Sequence, residues 1–323
     1  MFRDAIINFP RQFAYEPVVE NGDGLGTFRR VIVAGMGGSH WAADLLKVWN
    51  PYLDVVIHHD YGLPSLSDSQ LKECLIIISS YSGTTEETLD AYEKAKECGL
   101  PRAAISVGGK LLMWAKNDGI PYVQIPDTGI QPRSALGFSF RALLRLMREE
   151  DALAKTRALA GRLEVSEFQE EGRGLAERLW GRVPIVYASG RNAPLASIWK
   201  IKFNETGKIP AFSHVFPELN HNEMTGFDVK ENTRPLSHPF SFLILRDEKD
   251  DPRVLKRMEV LERLYHARGL PVEVIELRGE DIFQKIFSSL ILVDWTSYFL
   301  AEHYGVEPEE VPMVEEFKKL MVG

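Results

Sequence analysis

Cysteine is scarce in this chain. Cys74 and Cys98 are the only two in 323 residues, and they form no C-x-x-C pair. A disulfide framework is thereby excluded, and a reducing, cytoplasmic setting is the simplest expectation. Long apolar runs are missing too. The best stretch, Ile286 to Ala301, is interrupted by Asp294 and falls short of the roughly 20 residues a membrane span needs. It is expected to be a helix buried in a large core, with no membrane partner. The opening residues, Met1 to Pro10, are only briefly apolar and already carry Asp4, so no signal peptide is expected. Nor is there a Lys/Arg cluster. A net charge of −8 argues against a nucleic-acid surface, though not against one small phosphate held by a few local donors.

Two nucleotide signatures fail as well. Gly35-Met36-Gly37-Gly38-Ser39 begins like a dinucleotide fingerprint, but His40 stands where the third Gly is required. Gly109-Lys110 is followed by Leu111 and Gly207-Lys208 by Ile209, so neither makes a P-loop.

What the chain does have is a hydroxyl-rich turn. The apolar run Leu75-Ile76-Ile77-Ile78 feeds into Ser79-Ser80-Tyr81-Ser82-Gly83-Thr84-Thr85, and helical spacing begins at Glu86. A helix start has backbone N–H groups without partners and the positive end of the macrodipole, so an anion fits there. One hydroxyl would suffice as a cap; Ser79, Ser80, Ser82, Thr84 and Thr85 crowd into seven residues. That crowding favours a phosphate site.

The length suggests about two domains, expected at residues 1–152 and 153–323. Strands are expected at Arg30–Ala34, Val55–His58, Cys74–Ile78, Ala103–Val107 and Tyr122–Ile125. Helical segments separate most of them, and apolar strands alternating with helices indicate a parallel sheet covered on both faces. In such sheets ligands sit beyond the strands' carboxyl ends, where loops 35–39 and 79–85 lie. A charged helical stretch over 151–180 reads as the connection between halves. The alternation then restarts at Pro184–Ala188, Phe240–Leu245 and Val272–Leu277, with a long helix from Glu280 to Ala301 and a helical tail from Pro312. The turns after Ala34 and Ala188 hint at a duplicated domain.

Polar clusters mark the second half: Phe203-Asn204-Glu205-Thr206-Gly207-Lys208, then Phe216-Pro217-Glu218-Leu219-Asn220-His221-Asn222-Glu223. Spacing alone leaves each open to a bland reading, Glu205 as a helix-face charge and His221 as a loop histidine. Together with loops 35–39 and 80–88, Gln131-Pro132-Arg133 and Phe317-Lys318, they resemble the bifunctional phosphoglucose/phosphomannose isomerases of the sugar-isomerase (SIS) superfamily. The resemblance covers nearly the whole chain, in the family's motif order.

The resemblance implies an α/β fold of two SIS domains, each a parallel β-sheet flanked by helices, and a homodimer. It implies aldose–ketose isomerisation of glucose 6-phosphate and fructose 6-phosphate, with mannose 6-phosphate as a further substrate. Under it, Glu205 is the base that moves a proton between C2 and C1. His221 and Lys318 open the sugar ring, and Arg133 steadies the enediolate. Ser80, Ser82 and Thr85 hold the phosphate, with Gly37, Gly38 and Ser39 against the sugar. Neither metal nor other cofactor is implied. His40-Trp41 departs from the small apolar residues usual in the family, and Phe227 stands where Trp is common. Residues 306–313 hold no hydroxyl where mannose-active members carry a Thr, so the glucose/fructose reaction is the better supported. A non-catalytic SIS sugar-phosphate sensor is the alternative, although no DNA-binding segment accompanies the motifs. An amidotransferase-type isomerase would need an N-terminal nucleophilic Cys, and the first cysteine is Cys74.

Overall fold

The computed structural model describes residues 2–321 of the chain. The chain divides into two compact units, Asn8–Leu163 and a second made of Met1–Ile7 with Glu164–Gly323. The expected division between residues 152 and 153 falls inside the helix Glu150–Arg157. The helical stretch expected over 151–180 consists of three helices: Glu150–Arg157, Leu159–Arg162 and Glu167–Leu179. Leu163 leaves helical geometry at φ −87°, ψ 105°, and it ends the first unit.

Five strands form the sheet of the first unit: β1 (Arg30–Ala34), β2 (Val55–His58), β3 (Cys74–Ser79), β4 (Arg102–Ser106) and β5 (Tyr122–Gln124). Their order is β2-β1-β3-β4-β5, and every pairing is parallel. Strand β3 is central, and all six of its residues are buried. That explains its unbroken apolar run: a strand covered on both faces has no polar side. Ile76 and Ile78 pack with Tyr92, Leu100 and Leu111 in one core, each side chain stabilising the fold by about 1.5–3 kcal/mol.

The second unit repeats the plan with β6 (Val183–Ser189), β7 (Phe212–Phe216), β8 (Phe240–Arg246) and β9 (Val272–Glu276). The order β7-β6-β8-β9 is again parallel throughout, so β6 takes the place of β1, β7 of β2 and β8 of β3. Strand β7 had no expectation. It is an edge strand whose residues are mostly exposed or half-buried, so it lacks the apolar run that betrayed the others. The long helix is Ile282–Tyr304 and stops at Gly305, which adopts φ +64°. Its buried Asp294 meets the equally buried Lys202 at 2.5 Å. Among the described residues, no helix is long and apolar enough to cross a membrane.

Candidate active site

In an order that runs 2-1-3-4-5, the chain reverses direction across the sheet between β1 and β3, and the loops leaving those strands open a crevice. Here those loops are 35–39 and 79–85. Gly37 takes φ +50° at the N-cap of the helix Gly38–Trp49, with no side-chain cap. Thr85 is the N-cap of the helix Glu86–Glu97, again with no side-chain cap. Its hydroxyl turns to Ser80 Oγ at 2.9 Å instead. Two adjacent helix starts therefore lack a side-chain acceptor for their first N–H groups, the arrangement that suits an anion.

The hydroxyls divide by task. Ser80 is fully buried, and its Oγ accepts from Gly83 N at 3.1 Å. Ser39 Oγ accepts from Tyr81 N at 3.1 Å, and Ser79 Oγ donates to Ser39 O at 2.8 Å. These bonds lock one loop to the other. Ser82 and Thr84 are exposed and lie 3.0 Å apart, Oγ to Oγ1. Gly83 is obligatory: at φ +70°, an added Cβ would sit 1.9 Å from Gly108 O. At Gly38 an added Cβ would come within 3.2 Å of Pro132 and Arg133 backbone atoms. The short 3-10 turn Pro132–Ser134 thus lies against the first turn of the helix Gly38–Trp49, and Arg133 is buried there.

The structure so brings Gly37, Gly38, Ser39, Ser80, Ser82, Thr85 and Arg133 together around one crevice in the first unit. Close to them stands a pair that sequence reasoning passed over. His40 Nδ1 lies 2.6 Å from Asp44 Oδ2, and the His40 ring stacks on His59 with centroids 5.6 Å apart. The i, i+4 spacing was visible in the sequence, but nothing there singled it out.

Glu205, His221 and Lys318 belong to the second unit. Glu205 is the last residue of the helix Ala193–Glu205 and is half-buried. Lys208 (φ +56°) folds back so that its ammonium donates to the carbonyls of Glu205 and Glu310. It thereby ties the end of that helix to the segment preceding the C-terminal helix. His221 closes the 3-10 turn Glu218–His221 that follows β7, and it is exposed. Lys318 lies on the helix Pro312–Met321, none of whose residues is buried, and pairs with Glu315 at 2.7 Å. Two residues after His221, Glu223 Oε1 accepts a hydrogen bond from Tyr187 at 2.5 Å. Burial is the main cause that pushes the Tyr187 phenol far up, so it remains a donor, and burial pushes Tyr265 up to about 12.

At the matching crevice of the second sheet, between β6 and β8, the chemistry differs. Ser189 Oγ donates to Asp250 Oδ1 at 2.5 Å, Asn192 Nδ2 lies 3.3 Å from the same oxygen, and Lys285 meets Asp247 at 2.7 Å. All five side chains are buried. Burial raises the Asp250 carboxyl above its ordinary range. Burial alone would lower the Lys285 ammonium, but Asp247 and Glu248 outweigh it and hold that ammonium up. Among the described residues, no group of three or more His, Cys, Asp or Glu is placed to hold a metal ion.

Comparison with known proteins agrees with this architecture. Residues 168–321 match the family model described as the bacterial phospho-glucose isomerase C-terminal SIS domain. A bifunctional phosphoglucose/phosphomannose isomerase from Caldicellulosiruptor bescii is 35% identical, over 90% of this chain and 88% of its own length. One from Aquifex aeolicus is 32% identical over 96% of this chain and 95% of its own. Among solved structures, a glucosamine-6-phosphate deaminase from Thermotoga maritima superposes with a TM-score of 0.69 at 15% identity, covering 96% of both chains, a likeness of fold. With two SIS-type parallel sheets and such identity sustained along its length, the chain belongs to the bifunctional phosphoglucose/phosphomannose isomerase family.

Proposed function

We propose that the protein interconverts glucose 6-phosphate and fructose 6-phosphate through an enediolate, by side-chain acid/base catalysis, with mannose 6-phosphate as a second aldose. The observation that carries this reading is the 35% identity over nine-tenths of the chain to a relative named for both activities. In the first unit, Ser80, Ser82, Thr85 and the helix start behind them hold the 6-phosphate, while Gly37, Gly38 and Ser39 meet the sugar. Fixing the phosphate turns proton transfer at the far end of the substrate into a positioned, unimolecular event. Arg133 supplies a fixed cation for the charge that develops on the enediolate. In the second unit, His221 and Lys318 open the ring, and Glu205 takes the C2 proton and returns it to C1.

The working protein is a homodimer in this reading. The helix Pro312–Met321 supports it, because Met313, Phe317 and Leu320 are 81, 61 and 74% exposed, an apolar face of the kind that a subunit contact covers. A cytoplasmic setting goes with two unbridged cysteines.

Glu205→Gln tests the assignment, since it keeps the side chain's size but cannot accept the proton. Turnover is expected to fall by about 10²–10⁴-fold while sugar-phosphate binding persists, and solvent deuterium exchange at C2 of glucose 6-phosphate should disappear. Full exchange in the variant would show that another group is the base. Wild-type protein that binds sugar phosphate yet exchanges nothing would instead be the sensor. Offering glucose, mannose and glucosamine 6-phosphates separately resolves the aldose.

A further inference from the structure

The turn that carries His221 has little regular structure to hold it. Strand β7 ends at Phe216, the 3-10 turn runs Glu218–His221, and the next helix, Glu223–Gly226, is four residues long. A turn this short does not fix the direction of an exposed imidazole by its own backbone hydrogen bonds. Leu219 is buried, and Asn222 Nδ2 donates to Glu218 Oε1 at 2.7 Å, which closes the loop on itself. Leu219, Met224 and Phe227 pack it into the core of the second sheet and Arg257 donates to Asn220 Oδ1 at 3.3 Å, and Glu223 adds a polar link to the strands.

Glu223 reaches two strands at once. Its Oε1 accepts from Tyr187 Oη at 2.5 Å, and its Oε2 lies 3.1 Å from His214 Nδ1. Tyr187 of β6 and His214 of β7 are register partners, so both side chains rise from one face of the sheet; Tyr187 supplies the hydrogen bond, and His214 stands at ion-pair distance. Tyr187 is fully buried, its ring packed against Phe216 and Phe242. Its hydroxyl therefore has a fixed position, and the short hydrogen bond passes that position on to the carboxylate. Only two peptide bonds separate Glu223 from His221. A carboxylate drawn toward a closed aromatic core pays for desolvation, and an apolar side chain there would pack at less cost. A polar pair in such a place specifies one geometry rather than adding stability.

We infer that Glu223 is a positioning residue for His221, holding the 218–223 turn against β6 through Tyr187 so that the imidazole is presented in one orientation. The inference rests on the reading of His221 as a ring-opening group. It predicts that loss of the tether lowers turnover more than substrate affinity, because the turn is read as acting on the ring and not on the phosphate.

Tyr187→Phe removes one hydroxyl from the core and nothing else. It should lower kcat for glucose 6-phosphate by about tenfold to a hundredfold, the cost of an ångström-scale misplacement of a catalytic group, with KM changed less than twofold. Glu223→Gln, which can still accept from Tyr187, should retain more activity than Glu223→Ala at matched thermal stability. In a His221→Ala background, Tyr187→Phe should change kcat less than twofold. An equal loss in both backgrounds would show that the tether acts independently of His221 and would overturn the inference, as would a Tyr187→Phe enzyme with wild-type kcat. A His221→Ala enzyme with wild-type kcat would instead remove the role given to His221. The single variant separates that failure from a failure of the tether alone.

Discussion

At the carboxyl end of the first sheet, two helix starts stand without side-chain caps, and the hydroxyls around them bond mainly to each other and to the loops. At the matching end of the second sheet the same crevice is filled from within. There Asp250 takes the hydrogen bonds of Ser189 and Asn192 beside the start of the helix Ala193–Glu205, and Lys285 neutralises Asp247. The strand order is repeated; the chemistry is not. A helix start attracts negative charge whether that charge arrives as a ligand or is built into the chain. In the proposed function the first place takes a phosphate; beside the second, whose helix start likewise has no side-chain cap, stands the chain's own Asp250 carboxylate. The same strand order thus recurs with different side chains at the carboxyl ends of β1 and β6, and chemistry follows the side chains and not the fold.

The harshest way to break that contrast is through the glycines of the two turns. Gly83→Ala drives a Cβ to 1.9 Å from Gly108 O at a φ of +70°. The backbone must move, at a cost of at least about 1–3 kcal/mol, and the KM for fructose 6-phosphate should rise by a hundredfold or more as the loop loses its shape. Gly190→Ala, at the corresponding turn of the second sheet, meets nothing within 4 Å and has no left-handed φ, so melting temperature and KM should stay as they are. Equal damage from both substitutions would erase the distinction between the crevices.

A gentler cut removes hydroxyls. Ser80→Ala with Thr85→Ala takes away the 2.9 Å pair that ties the loop to the helix start. Hydrogen bonds to a charged group are worth about 1.5–3 kcal/mol each, so KM should rise about tenfold or more, with a smaller fall in turnover. Ser189→Ala at the other crevice should leave KM unchanged and lower only thermal stability, because its partner Asp250 is internal. A steady-state titration of each variant with fructose 6-phosphate checks both halves.

Much of this contrast was legible in the sequence, but only on one side. Strands β1 and β3 announced themselves because strands buried on both faces must be apolar throughout, and the Ser80–Thr85 cluster because hydroxyls rarely crowd one helix start. Strand β2, an edge strand with three half-buried residues, showed only through its Val55-Val56-Ile57 run. Strand β7 escaped because an edge strand alternates exposed and half-buried residues and follows Pro210-Ala211. The 151–180 stretch was legible as helical, but not its breaks, because helical spacing runs through Leu163 without a Pro to interrupt it. Asp250 and Lys285 carried no signal at all. Their pairing with Ser189 and Asp247 spans 61 and 38 residues, and charged residues read as surface until the fold buries them. Tyr187 and Glu223, 36 residues apart, were hidden for the same reason: the neighbour that gives each its meaning is set by strand register, which local spacing does not contain.

The smallest expected effect is also the one that probes the second crevice most directly. Burial raises the Asp250 carboxyl, the nearby Asp247 charge adds to it, and the hydrogen bonds from Ser189 and Asn192 oppose it. A carboxyl raised on folding binds its proton more tightly in the folded chain than in the unfolded one. Its contribution to stability is fully present below the ordinary carboxyl range, where both states are protonated. That contribution is lost as pH rises through the raised value, and above it the ionised group is a constant cost. Asp250→Asn resembles the protonated acid in shape but does not titrate. The variant should therefore melt close to wild type near pH 4 and gain on it as pH rises to 7. KM for fructose 6-phosphate should be unaffected at either pH, since the proposed function puts the sugar phosphate at the loops of the first sheet. A stability gap that narrows with rising pH would mean that ionised Asp250 is a net stabiliser, held by the hydrogen bonds of Ser189 and Asn192 more strongly than burial opposes it. A changed KM would mean that the second crevice, too, feels the sugar phosphate.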